Sequence, residues 1–192
     1  DGHGTAESIP SASTAAVANV NDAPVGVPTI TGNPIEGQTL TVSTAGISDA
    51  DGLGTFNYQW MRDGVAVVGA TGDSYTLGNV DVNAKMTVQV SYVDGHGTAE
   101  SIPSASTAAV ANVNHAPQVM APIADQAAVV GNSFSLSVPA GVFRDIDVGD
   151  TLTLGAKLAN GGVLPSWLVF DAATRTLHGT PAAGATGTMN VQ

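Results

Sequence analysis

The sequence predicts an all-β fold built from tandem β-sandwiches, and three observations support this prediction. Gly, Ser, Thr, Ala and Val dominate a chain of 192 residues that is only 5% aromatic and 11% charged, a composition typical of strands joined by tight turns. Several stretches alternate apolar and polar residues with the period of two of a half-buried strand. One sequence, DGHGTAESIPSASTAAVANVN, occurs twice, at residues 1–21 and 94–114.

The identical repeat predicts the domain organisation. Self-similarity at a fixed period indicates tandem copies of one unit, so residues 1–21 are expected to be the final strand of a preceding copy. Residues 22–114 are then one whole copy, and a different domain begins at residue 115. The period is too long for a solenoid repeat and agrees with an immunoglobulin-sized sandwich of roughly 100 residues.

The strands of residues 22–114 are predicted from their alternation. Phe56, Tyr58 and Trp60 alternate with polar residues and share one face, which makes Trp60 the predicted central core residue. About seven strands are expected, at 27–32, 38–45, 56–62, 65–69, 74–77, 85–93 and, within the repeated sequence, 106–113.

Charge and cysteine content limit the partners. The chain has 16 acidic and 5 basic residues, a net charge of −11, so its surface repels nucleic acid and anionic membranes. The absence of cysteine suits a bacterial surface or secreted protein stabilised by something other than disulfides, for instance a metal. No run of about 20 apolar residues suggests a membrane span. Because the sequence begins within a repeat, it is expected to be an internal part of a longer protein.

Residues 22–114 carry the phrases EGQTLTV, ISDADGLG, YQWMRDGVAVVGATGDSYTL and DGHGT. With these phrases the segment resembles the bacterial immunoglobulin-like repeats of large RTX-type adhesins. The resemblance implies a long multidomain protein, secreted or attached to the cell surface, in which such repeats act as a stalk.

The sequence motifs change at residue 115. The stretch from Leu164-Pro165-Ser166-Trp167-Leu168 to Gly179-Thr180-Pro181 resembles the dystroglycan-type cadherin-like domain, also named the Putative Ig domain. The resemblance covers residues 115–192 and implies a second β-sandwich. Because such domains continue beyond the last residues matched here, this sandwich is expected to lack its final strand.

Five oxygen-bearing residues are expected to meet at one end of the first sandwich. Successive loops of a seven-strand sandwich alternate between its two ends, so the entering linker lies near the loops after the second and sixth strands. Crowded carboxylates repel one another unless a cation lies among them, and Ca²⁺ takes 6–8 oxygen ligands. The residues of this first pole are Asn21, Asp22, Asp49, Asp51 and Asp94.

These residues also resemble the calcium motifs of cadherins. Asn21-Asp22 corresponds to the Asn-Asp of the cadherin linker. Asp49-x-Asp51 matches the DxD motif, and Asp94-x-x-Gly97 matches the xDxxG motif. The alternative interpretation stays open, because Asp-Gly and Asp-Ala-Asp-Gly are also ordinary turn sequences.

A second junction is expected where the two predicted domains meet, and its cation binding should be weaker. His115 stands where the first linker has Asp22, and a neutral imidazole is a poor ligand for a hard cation. The predicted ligands there are Asn114, Asp145 and Asp147, with Asp150 nearby. The resemblance to cadherins adds Glu36, which resembles the cadherin glutamate before the second strand, and Asp81 as a weaker candidate.

Nothing in the sequence indicates an enzyme. No G-x-S-x-G motif or phosphate-binding loop is present, and four scattered histidines without cysteine do not indicate zinc. His3, His96 and His178 are expected to be structural or inert.

The favoured function is therefore a structural extender of a bacterial surface or secreted adhesin, in which interdomain Ca²⁺ stiffens a tandem array. Its partners would be the neighbouring domains of the same parent chain. The alternative is a secreted carbohydrate- or protein-binding module that takes a surface glycan or a protein ligand. Residues 1–21 are expected to be poorly ordered or to pair with an exposed strand edge, and their identity with 94–114 permits strand exchange.

Overall fold

The computed structural model describes residues 2, 4, 6 and 8–192, and within them the protein is all-β, as predicted. All paired strands are antiparallel, and the one helical turn among the described residues is the 3-10 turn Asn79–Asp81. None of the helical segments described is long and apolar enough to cross a membrane.

The chain forms two compact units, each of which is discontinuous in sequence. The first contains the described residues up to Asn33, with Thr39–Thr76 and Ala84–Ala108. The second contains Pro34–Gln38, Leu77–Asn83 and Ala109–Gln192. The sequence boundaries at residues 22 and 115 stay predictions.

The first unit contains two antiparallel sheets. One has the strand order β1-β2-β5 and the other β4-β3-β6-β7. Their strands are β1 (Thr29–Thr31), β2 (Thr39–Ser43), β3 (Asn57–Arg62), β4 (Val65–Ala66), β5 (Ser74–Thr76), β6 (Met86–Val93) and β7 (Ala99–Pro103).

Trp60 lies in the core of this unit, as predicted. It is fully buried and is paired in register with Val88 of β6. Its indole N–H donates to the Gly72 carbonyl at 3.0 Å, which satisfies the one polar atom that its burial would otherwise leave unpaired. The alternate residues of β6 point into the same core, and all four are buried: Met86, Val88, Val90 and Tyr92.

The last strand of the first unit lies earlier than predicted. The repeated sequence supplies the regular strand β7 at Ala99–Pro103, whereas the predicted stretch 106–113 contains only isolated parallel bridges, from Val110 to Val82 and from Ala111 to Ile35. Beyond β7 the main-chain ladder is interrupted because side-chain hydroxyls replace carbonyl acceptors. The Val88 N–H donates to Ser104 Oγ and the Met86 N–H to Thr107 Oγ1.

The other copy of the same sequence has no strand within its described residues. Residues 8–21 are exposed at every position and belong to no sheet. The predicted final strand at 1–21 also includes Asp1, His3, Thr5 and Glu7, which lie outside the described residues.

The second unit has short strands in two sheets, with orders β11-β12-β9 and β10-β8. Its core includes Leu77, Val110, Val142, Leu168 and Leu177. The strands are β8 (Gln118–Val119), β9 (Phe134–Ser137), β10 (Phe143–Arg144), β11 (Leu168–Asp171) and β12 (Thr176–Gly179).

Candidate metal sites at the two linkers

The Asp49-x-Asp51 turn between β2 and β3 is closed by its own first side chain. The Asp51 N–H donates to Asp49 Oδ1 at 2.9 Å, and the Gly52 N–H donates to the Asp49 carbonyl at 3.2 Å. Gly52 has φ +92°, a conformation that glycine adopts readily and other residues rarely do. Asp49 therefore closes the turn, as the turn interpretation predicts. The Asp51 carboxylate takes no part in closing it and is available to other groups.

The first linker, Asn21-Asp22, is hydrogen-bonded to this turn. The Asp22 N–H donates to Asp51 Oδ2 at 2.7 Å, and the Asn21 amide donates to Glu100 Oε1 at 2.9 Å. Asp51 is buried although it is a carboxylate. The backbone at the start of the sandwich is thus held by a charged hydrogen bond, the stronger class of hydrogen bond.

Asp94, at the end of β6, has one satisfied and one unsatisfied oxygen. Its Oδ1 accepts the N–H groups of His96 and Thr98, each at 2.8 Å. Its Oδ2 is buried without a hydrogen-bond partner among the described residues, and the residue is only 6% exposed. Burial works to raise the pKa of Asp94, but the N–H groups of Thr98 and His96 outweigh it and hold that pKa below its ordinary value. A buried, ionised oxygen with no partner is the kind of group that a cation satisfies.

Two further contacts join the three loops of the first pole. The Gly95 N–H donates to the Asp51 carbonyl at 3.0 Å, and His96 Nδ1 lies 3.5 Å from Asp51 Oδ1. The loop after β6 therefore lies directly beside the Asp49–Asp51 turn.

Tyr92 is a member of this site that the sequence pattern did not reveal. Its hydroxyl donates to Asp49 Oδ2, and its ring is buried against Phe56. Burial, with the Asp49 carboxylate next in importance, raises the pKa of Tyr92 above its ordinary value. Tyr92 is therefore a neutral donor, and it competes with any cation for one oxygen of Asp49.

The second linker repeats the hydrogen bonds of the first. The His115 N–H donates to Asp147 Oδ2 at 2.6 Å, and the Asp147 N–H donates to Asp145 Oδ1 at 3.1 Å. Asp147 is buried, like Asp51. In each unit the linker residue is therefore bound to the second aspartate of an Asp-x-Asp turn.

The second linker differs in its side chain. His115 Nδ1 lies 2.7 Å from Asp147 Oδ1. The side-chain hydrogen bond to Asp147 raises the pKa of His115, and the nearby charges of Glu36 and Asp145 act in the same direction. The His115 N–H is the main cause that holds the pKa of Asp147 below its ordinary value.

Two groups of ligand atoms come together in the second unit. Glu36, His115 and Asp147 form one, and Asp145, Asp147 and Asp150 form the other, each with ligand atoms within 4.8 Å of one another. The second group offers carboxylates alone, whereas the first mixes carboxylates with an imidazole. Both are acidic clusters able to hold a metal ion.

The comparison with known proteins applies to this second part of the chain. The family described as the Putative Ig domain matches residues 116–192. Residues 116–192 are an Ig-like domain. This confirms the resemblance of that segment to the Putative Ig domain. Its description as dystroglycan-type and cadherin-like, and the resemblance of residues 22–114 to RTX-type repeats, stay predictions. No curated protein matches the chain.

Ig-like domains are typical of extracellular and surface proteins with several domains, and they are usually non-catalytic. The Ig-like domain contains Asp145 and Asp147, two of the predicted ligands. The linker residue Asn114 donates its side-chain amide to the His115 carbonyl at 3.4 Å, and its role as a ligand stays a prediction.

The other predicted ligands do not belong to these two groups of ligand atoms. The first-pole residues are joined by hydrogen bonds, but among the described residues no three of their carboxylates bring ligand atoms within 4.8 Å of one another. Asp81 instead caps the turn Asn79–Asp81 by accepting the Gly78 N–H at 2.8 Å. Asn79, which the sequence pattern did not single out, donates to the Ile146 carbonyl and keeps a buried Oδ1 with no partner among the described residues.

Proposed function

We propose that this chain is a structural extender of a large bacterial surface or secreted adhesin, with linkers stiffened by Ca²⁺. One observation carries the proposal. In both units the N–H of the linker residue, Asp22 or His115, is bound to the second aspartate of an Asp-x-Asp turn. An extender needs its linkers held against its sandwiches, and this arrangement holds both of them in the same way.

The carboxylates around each linker support Ca²⁺ as the bound ion. At the first linker, Asp51 and Asp94 are buried and Asp94 Oδ2 has no partner among the described residues. At the second, the oxygen ligands of Asp145, Asp147 and Asp150 already lie within 4.8 Å of one another. Ca²⁺ accepts such flexible sets of oxygens, and extracellular modules bind it at about 10⁻⁴–10⁻³ M.

Bound calcium would convert the repulsion between these carboxylates into shared coordination. Because the unfolded chain cannot assemble the ligands, binding stabilises the folded state in proportion to occupancy. At 10 mM Ca²⁺ and the affinities above, the gain is about 1.4–2.7 kcal/mol for one site. The same ligation restricts the linker, which is the property an extender requires.

Thermal unfolding in EGTA and in 10 mM Ca²⁺ tests the proposal. The wild type is expected to gain stability with calcium, and Asp49→Asn/Asp51→Asn is expected to lose the part that comes from the first linker. Asp73→Asn is the matched control, because it removes one carboxylate at an exposed position. If the melting midpoint of the wild type does not change with Ca²⁺, the aspartates act only as turn residues.

The alternative, a carbohydrate- or protein-binding module, gains less support from the aromatic residues. Sugar-binding faces usually present exposed aromatic rings, but Trp60 is fully buried and Trp167 is half-buried. Binding to a glycan array at micromolar protein would favour this alternative over the extender.

A further inference from the structure

The two copies of the 21-residue sequence have opposite environments. Ile102 and Val110 in the second copy are 7% and 1% exposed. Their counterparts in the first copy, Ile9 and Val17, are 94% and 97% exposed. One sequence therefore exists both as part of a core and as an apolar segment in solvent.

The second copy is held by contacts that can be named. β7 pairs with β6 in the register Val90↔Ile102 and Gln89↔Pro103. The Ser104 N–H then donates to the Val88 carbonyl at 2.9 Å, and Ser104 Oγ accepts the Val88 N–H at 3.0 Å. Thr107 makes the same pair of hydrogen bonds with Met86, at 2.9 and 3.0 Å.

The first copy contains every group that these contacts use. Ile9, Ser11, Thr14 and Val17 stand at the positions of Ile102, Ser104, Thr107 and Val110. The ladder itself is made by main-chain atoms, which any sequence supplies. We propose that residues 8–14 of one chain take the place of residues 101–107 in a second copy of the chain. The partner is thus an identical molecule, and the docking surface is the edge of β6.

The geometry favours a second copy over exchange within one chain. In the native register Thr14 would lie beside Met86, at the end of β6 away from Val93. Asp22, however, is bound to Asp51, whose carbonyl accepts the Gly95 N–H just beyond the other end of β6. The seven steps along β6 from Met86 to Val93 span about 23–24 Å, and Gly95 lies two residues further on. The eight steps from Thr14 to Asp22 reach roughly 26–29 Å only when fully extended. A segment from another molecule has no such restriction.

Exchange replaces one set of contacts with an identical set, so concentration decides the outcome. Within one chain, residues 94–98 connect β6 directly to its own partner strand, which gives that strand a high effective concentration. The unaltered chain is therefore expected to be mostly monomeric when dilute. Weakening its own segment shifts the balance toward the segment of a neighbour.

The repeat supplies matched variants for the test. Ile102→Asp places a charge in the core of the native segment and leaves the first copy intact. We expect this variant to form folded dimers or larger assemblies in light scattering, with a melting midpoint that rises with protein concentration. Ile9→Asp should remain a folded monomer. Ile9→Asp/Ile102→Asp should lose both the assemblies and the concentration dependence, because neither copy fits the edge of β6. An Ile102→Asp chain that is monomeric, with the same stability as the double variant, would overturn the proposal.

A disulfide test does not depend on a destabilised variant. The chain has no cysteine, and Gln89 pairs with Pro103, the counterpart of Pro10. Because proline has no N–H, this is a pair without main-chain hydrogen bonds, the type in which the two Cα atoms are closest, about 4.5 Å apart. Chains carrying Pro10→Cys and Gln89→Cys are refolded together at high concentration and oxidised. A disulfide-linked dimer of the two variants is expected, in excess of that formed by Pro10→Cys with Asp73→Cys. Equal yields in the two mixtures would contradict exchange.

Discussion

His115 Nδ1 lies 2.7 Å from Asp147 Oδ1, and the same residue's N–H donates to Asp147 Oδ2 at 2.6 Å. Both oxygens of a buried carboxylate are thus engaged by one linker residue. At the first linker the corresponding aspartate, Asp51, receives the N–H of Asp22 at Oδ2, and its Oδ1 lies 3.5 Å from Nδ1 of His96, which belongs to another loop. The linker residue itself, Asp22, has a carboxylate in place of the imidazole. An imidazole stands at the second linker where the first has a carboxylate, and an imidazole is a poor ligand for a hard cation. The two linkers should therefore respond differently to calcium.

Exchanging the two linker residues should exchange their calcium responses. His115→Asp releases Asp147 Oδ1 and adds a carboxylate, so Ca²⁺ should raise the unfolding midpoint of the variant more than that of the wild type. Asp22→His should reduce the calcium response by the same reasoning. Calorimetric titration with Ca²⁺ and melting in EGTA and in 10 mM Ca²⁺ measure both effects. Equal calcium responses in His115→Asp and the wild type would show that the imidazole does not hinder the ion.

The His115–Asp147 pair predicts a pH dependence of stability in the absence of calcium. The folded-state pKa of His115 is raised above its ordinary value of 6.5, so its contribution is complete below pH 6.5 and is lost as the pH rises through the folded-state pKa. Asp147 has a lowered pKa, so its contribution is present above its ordinary value of 3.8 and disappears as the pH falls below that value. In EGTA, the wild type should therefore lose stability relative to His115→Gln as the pH is raised from 6 to 8. Parallel curves for the two proteins would contradict the prediction.

Asp94→Asn should distinguish the role of Asp94 in cation binding from its role in holding the turn after β6. The asparagine keeps an Oδ1 for the N–H groups of His96 and Thr98 but loses the ionised oxygen that has no partner among the described residues. We expect a lower melting midpoint in EGTA, because the lowered pKa of Asp94 shows that folding favours the charged form. We also expect the calcium response of the first linker to disappear. A variant that keeps the full response would place the ion elsewhere.

Buried and exposed apolar residues of the first unit should contribute differently to its unfolding free energy, and this difference should not depend on calcium. Leu40 is fully buried, whereas Val68 is almost fully exposed. Leu40→Ala should cost about 2–5 kcal/mol of unfolding free energy, through lost burial and the cavity left behind. Val68→Ala should change it by less than about 0.5 kcal/mol. Urea unfolding followed by tryptophan fluorescence measures both variants in a Trp167→Phe background, in which Trp60 is the one tryptophan. Similar costs would show that the first unit is packed differently.

Sequence patterns located the parts of the fold that depend on local alternation. The four buried positions of β6 are those that its alternation predicts, and Trp60 follows from the same rule in β3. β7 ends at Pro103, immediately before the stretch in which the hydroxyls of Ser104 and Thr107 replace carbonyl acceptors. A period-two pattern carries no signal for such a replacement.

The candidate sites show the same division between local and long-range information. The Asp-x-Asp turns and both linkers were visible in the sequence because each is a short motif. Tyr92 was assigned to the core by its position in β6, but the partner of its hydroxyl is Asp49, 43 residues away. Asp81 was visible as an acidic residue, but whether it faces a linker or caps its own turn depends on backbone geometry. Contacts of this kind are decided by which loops meet, and a single sequence does not record that.

Tyr92→Phe should change the stability and the calcium response in opposite directions. The tyrosine hydroxyl donates to Asp49 Oδ2, and a hydrogen bond to a charged group contributes about 1.5–3 kcal/mol. In EGTA the variant should therefore be less stable than the wild type by an amount of this order. In Ca²⁺ the freed oxygen of Asp49 becomes available to the ion, so the rise in midpoint on adding calcium should be larger in Tyr92→Phe. Tyr58→Phe, on the neighbouring strand β3, is the matched control and should leave the calcium response unchanged. A smaller calcium response in Tyr92→Phe would mean that the hydroxyl positions Asp49 for the ion and does not compete with it.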